Sequence, residues 1–156
     1  MNSTANITFC VGGNLESANL KDFLQSFNGL VSLEIGFSSP KLEQFEKHIR
    51  FENEGFLVLY LWEVPVTAVI DPISFCRRHK LPFRYFLESD HQGPEVTYYW
   101  APGLKDICST SSVDGEPLIL HSMVHKLLRM PRKKALTLMR MFNDIVNKAL
   151  PPFKLL

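Results

Sequence analysis

Phe56-Leu57-Val58-Leu59-Tyr60-Leu61-Trp62 is the stretch on which the fold turns. It is apolar on both faces, which predicts a strand with a central place in a sheet. The apolar-rich run continues to Ile70, but Glu63 and Pro65 break it and it is too short to span a bilayer.

Working outward, residues 7–11 are β-prone and stop at Gly12-Gly13, so they read as a second strand. Residues 30–35 alternate Leu30, Ser32 and Glu34 with Val31, Leu33 and Ile35, as a half-buried strand does. Residues 66–70, entered through Pro65, predict another strand. Residues 83–87 and 96–100 flank a polar, turn-rich segment containing Gly93-Pro94 and predict a hairpin. Residues 101–115 read as a loop, with Ser109, Thr110, Ser111 and Ser112 inside it.

Helices fall between these strands. Leu20, Phe23, Leu24 and Phe27 recur at helical spacing, and Asn28-Gly29 supplies a stop. Ser39 and Pro40 predict the cap and first turn of a second helix carrying Leu42, Phe45 and Ile49. Asp71-Pro72 predicts the start of a third, short helix over 72–79. Two helices close the chain, over 118–129 and 132–150, separated by Met130-Pro131 and stopped by Pro151-Pro152. This irregular mixing of strands and helices predicts an α+β fold: one domain over residues 1–156, with a mostly antiparallel sheet of about five strands packed on helices.

Composition sets the class. Hydrophobic residues at 46% supply a core, and charged residues at 21% are ordinary for a soluble globular protein. The start, Met1-Asn2-Ser3-Thr4-Ala5-Asn6, lacks the basic region and apolar stretch of a secretory signal. Cys10, Cys76 and Cys108 are an odd number of cysteines in unrelated contexts, which argues for a reducing cytoplasm and against a disulfide framework. No membrane association is expected.

Charge is segregated along the chain. Lys126, Arg129, Arg132, Lys133, Lys134, Arg140, Lys148 and Lys154 face one acid, Asp144, which gives the region from residue 126 onward a net +7. The first 125 residues hold nine basic and fifteen acidic residues, a net −6. Such asymmetry suggests an anionic partner. Within the basic region, Ala135, Leu138, Phe142, Ile145 and Ala149 form one apolar stripe, with Met139 and Val146 beside it. The stripe reads as core-facing, or as a homodimer seam whose small ends let two helices approach. Arg132-Lys133-Lys134 opens the same helix, where the macrodipole opposes cations, so stability alone does not choose them.

Two further clusters are candidate binding surfaces. Arg77, Arg78, Lys80 and Arg84 lie near Phe83, Tyr85 and Phe86, a mixture that can hold single-stranded nucleic acid, although no RNP-type signature accompanies it and the aromatics of residues 83–87 read more simply as core. Glu43, Glu46, Glu52 and Glu54 form an acidic region able to dock on a basic groove, or simply a solvated face with Lys47 and Arg50 interspersed.

Catalytic and cofactor motifs are weak. His121 and His125 have i, i+4 spacing, but Ser122 stands where a metalloprotease pattern needs Glu, so no metal is assigned. Cys76 beside Arg77, Arg78 and His79 has a setting that can activate a thiol, with no further catalytic group indicated. Gly12-Gly13 lacks the other residues of a phosphate-binding loop. The leading expectation is therefore a non-catalytic, cytoplasmic interaction protein, monomeric or homodimeric and without a cofactor. It modulates or inhibits a larger protein machine, such as one that handles nucleic acid. The alternative is DNA or RNA binding by the basic C-terminal helices; the third is a small enzyme using Cys76, His121 or His125. A pI near 7.8 weighs against general nucleic-acid binding, which usually goes with a pI above about 9.

Overall fold

The structure is a computed structural model and describes residues 4–35, 40–88, 95–113 and 116–156. Period-two alternation builds an antiparallel sheet of seven strands. In chain order these are β1 (Thr4–Val11), β3 (Val31–Ser32), β4 (Leu57–Pro65), β5 (Phe83–Glu88), β6 (Glu95–Trp100), β7 (Cys108–Val113) and β8 (Glu116–Pro117). Their spatial order is β3-β4-β1-β5-β6-β7-β8. The remaining two strands, β2 (Gly13–Leu15) and β9 (Phe153–Leu155), pair in parallel apart from that sheet.

Alternate residues divide the sheet into two faces. Ile7, Phe9 and Val11 of β1, Leu57, Leu59 and Leu61 of β4, and Phe83 and Tyr85 of β5 enter one core. That core is covered by α1 (Leu20–Ser26), α2 (Leu42–Lys47) and α3 (Ile70–Arg78), which add Leu20, Phe23, Phe45 and Phe75. Its aromatic rings interlock: Phe23 meets Phe27 edge-on at 5.4 Å and stacks on Phe153 at 5.9 Å. Such pairs add about 0.5–1.5 kcal/mol each beyond their area burial.

The opposite face is thinner. Cys10, Tyr99, Ile145 and Leu150 are its buried residues, with Val58, Phe86 and Phe142 partly buried around them. It is covered by α5 (Arg132–Asn147), which lies over β6, β7 and β8. Ahead of α5, α4 (His121–Arg129) has Leu127 as its buried residue.

Several sequence expectations are corrected. Residues 66–70 form no strand: Val66–Val69 is a 3-10 turn leading into α3. The β-branched residues favour a strand locally, but Pro65 and Pro72 bracket the segment, and packing of Val69 into the core decides against it. Residues 101–115 are not all loop, because β7 occupies Cys108–Val113. Its serines conceal it: Ser112 faces Glu95 in the ladder, and its hydroxyl lies 3.5 Å from that of Thr97 diagonally across the strands, both residues buried.

Strand β4 lies second from the edge rather than at the centre, and Trp62 is 53% exposed. Helix α2 takes Lys41 as its N-cap, with Pro40 ahead of it, and Gln44 Oε1 accepts from the Lys41 N–H at 3.1 Å. Ser39 lies outside the described residues, as do residues 89–94 of the hairpin turn with Gly93-Pro94.

Candidate functional site

The basic C-terminal region does not form one uniform surface. Lys154 belongs to β9, whose Phe153 is buried in the main core. Lys126 and Arg129 occupy the last turn of α4, where they complement the macrodipole. Arg132, Lys133 and Lys134 open α5, which has Pro131 as N-cap and no acid in its first turn. All three are exposed, as is Arg140 farther along. These cations therefore line two consecutive helices.

The apolar stripe of α5 is only partly seated. Ile145 and Val146 are buried, Ala135, Leu138 and Phe142 are partly covered, and Ala149 is exposed. Leu136 and Met139 are exposed on the same helix. On α4 and its approach, Leu120 is 75% and Leu128 78% exposed, and Leu118 and Val124 are exposed as well. A groove of about 360 Å³ opens beside Leu120, walled by Leu118, Met123, Phe142 and β7. Single exposed leucines are normal on a protein surface; here exposed apolar residues recur along two consecutive helices, which makes this region the candidate contact surface.

Arg84 departs from the basic cluster in which the sequence placed it. It is only 7% exposed and lies on the α5 face of the sheet. Its Nη1 and Nη2 donate to the carbonyl oxygens of Val146 and Lys148, so it caps the C-terminus of α5. Its Nε has no partner among the described residues. Burial lowers the guanidinium pKa, and neighbouring Cys10 and Tyr99 act in the other direction. The alternation of β5 explains the placement: Phe83 and Tyr85 enter the main core, which turns Arg84 to the other side.

The rest of that cluster stays at the surface. Arg77, Arg78 and Lys80 are exposed. Arg77 lies over the Trp100 ring at 5.6 Å from its centroid and donates to the Lys105 carbonyl at 2.9 Å. The aromatics beside the cluster are in cores: Phe83 and Tyr85 are buried and Phe86 partly so. Among the described residues there, no exposed rings form a stacking platform.

The acidic group is partly committed to local pairing. Glu46 accepts from Arg50 Nε at 3.1 Å, and Glu52 lies 3.4 Å from His48 Nδ1. Glu43 and Glu54 are exposed. These i, i+4 pairs fit a solvated helical face.

The candidate chemical residues have plain settings. His121 and His125 are exposed and pack edge-on at 4.6 Å, and no group of three or more potential metal ligands occurs among the described residues. Cys76 is fully buried, and burial raises its thiol pKa strongly, which opposes nucleophilic use. Burial likewise pushes the Cys10 thiol up to about 11 despite Arg84 nearby. The three cysteines are free thiols. Gly12-Gly13 is structural: their N–H groups donate to Pro82 and Pro152 carbonyls at 2.9 and 3.2 Å. A Cβ at Gly12 would collide with the Pro151 backbone.

The chain matches no protein-family profile, no curated protein and no solved structure. Among the described residues no helix is long and apolar enough to cross a membrane.

Proposed function

We propose that this protein is a non-catalytic interaction module of the cytoplasm. It binds an acidic, amphipathic segment of a larger protein assembly through the outer face of α4 and α5, and so modulates or inhibits that assembly. The observation that carries this reading is the interleaving of exposed Leu120, Val124, Leu128, Leu136 and Met139 with Lys126, Arg129, Arg132, Lys133 and Arg140. Aliphatic groups gain little from a phosphate backbone but much from an apolar helix face, while the cations select acidic flanks. The groove beside Leu120 offers an anchor point for one partner side chain. Exposed aromatics for base stacking are missing from this face, which favours a protein over single-stranded nucleic acid. Free thiols fit a reducing compartment.

Affinity capture from the native host, with and without nuclease, tests the reading. One dominant protein is retained after nuclease treatment, and Leu128→Asp abolishes its capture while leaving the melting temperature unchanged. Loss of every partner on nuclease treatment transfers the function to DNA or RNA binding. Recovery of this chain alone, with concentration-dependent sedimentation, makes the face a homodimer seam.

A further inference from the structure

A second concavity lies on the flank of α5, between that helix and the connection from β6 to β7. It encloses about 510 Å³, within the range of small-molecule sites. Ala101, Leu104, Met141 and Ile145 give it an apolar lining. Arg140, Asp144 and Lys148 stand along its helical wall at successive turns. Among the described residues none of these three belongs to an ion pair, so their charges are available to a ligand.

The electrostatics choose the sign of that ligand. Two cations oppose one acid along the wall. The C-terminal end of α5 would ordinarily repel an anion, but Arg84 takes the carbonyls of Val146 and Lys148 and offsets that negative pole. Asp144 limits the excess to a single charge and supplies an acceptor for a donor group. We propose that this cleft binds a small amphipathic monoanion, an apolar body of aromatic size bearing one carboxylate.

The test is a titration of the full chain, followed through its backbone amide NMR signals, with 1-naphthoate and with the neutral 2-naphthol. Naphthoate shifts the amides of Ala101, Leu104, Cys108, Met141 and Ile145, and binds about fivefold tighter than naphthol, as exposed ion pairing allows. The double variant Arg140→Gln, Lys148→Gln loses that preference but still binds both probes. Thr137→Trp, at an exposed lining position, blocks both probes; Met141→Trp does the same should the first variant not fold. Leu128→Asp, which alters the outer face of α4, leaves the shifts unchanged. Absence of naphthoate shifts at the cleft overturns the proposal. So do equal affinities for the two probes, or loss of the shifts in Leu128→Asp.

Discussion

The two faces of the sheet are held by different means. On the α1–α3 face, Phe9, Phe23, Phe27, Phe45, Phe83 and Phe153 are all fully buried and interlock through ring contacts. On the other face, α5 meets the sheet through Ile145 and partly covered Phe142, and through the clasp of Arg84 at its C-terminus. One layer coheres by filled apolar volume; the other is seated most deeply at its C-terminal end and is exposed on its outer side. The same chain thus separates a face that stabilises from a face free to make contacts.

Removing Phe23 tests the dense side. Phe23→Ala leaves a cavity among Phe27, Phe45, Phe75 and Phe153 and lowers unfolding free energy by about 3–5 kcal/mol in urea titration. A loss below that of any substitution on the α5 face would reverse the ranking of the two layers.

Arg84→Met addresses the clasp itself. It frees two carbonyls at the end of α5, and the expected loss is about 2 kcal/mol, because hydrogen bonds from a charged donor are replaced by none. Hydrogen exchange should quicken in residues 140–148 and stay slow in β1 and β5. Uniform acceleration would show that α5 unfolds only with the main core.

Phe142→Ala measures the thin side. Since Phe142 is only partly covered, the expected loss is about 1–2 kcal/mol, below the range for a fully buried Phe. A loss as large as that of Phe23→Ala would mean that the second face is as firmly packed as the first.

The smallest effect belongs to Arg132, Lys133 and Lys134. Changing all three to Gln removes cations from the positive end of α5, so the melting temperature stays unchanged or rises slightly, by about tenths of a kcal/mol per residue in free energy. Binding of the captured partner weakens and its remaining salt dependence shrinks. Undiminished binding at low salt would leave only the aliphatic residues as the contact surface.

Legibility in the sequence followed the same divide. Where apolar side chains repeat with a clear period and meet a dense core, as in α1, β5 and β6, position and type are readable in advance. Strand β7 was not, because near the sheet edge it is built largely from Ser and Thr, a composition shared with loops, and among the described residues only the Ser112 hydroxyl meets another, that of Thr97, across strands. The turn at Val66–Val69 was hidden by β-branched residues that tertiary packing overrode. Among the candidate contact residues, the cations of α4 and α5 were visible as a charge run. The exposure of Leu120 and Leu128 was not, since periodicity says that a stripe exists and not whether anything covers it. Arg84 looked like surface charge until its neighbours in β5 were known to point the other way.

The pairing of β9 with β2 sets the order in which the molecule can be completed. Phe153 stacks against Phe23, and the Leu156 carbonyl accepts from the Ser17 N–H at 3.0 Å, so residues far apart in the chain close the same aromatic cluster. During synthesis the early segments must wait for residues 153–156 before their core is sealed. That long closure costs chain entropy before it returns contacts, and it makes slow, late-committing folding the expected kinetic character of this chain.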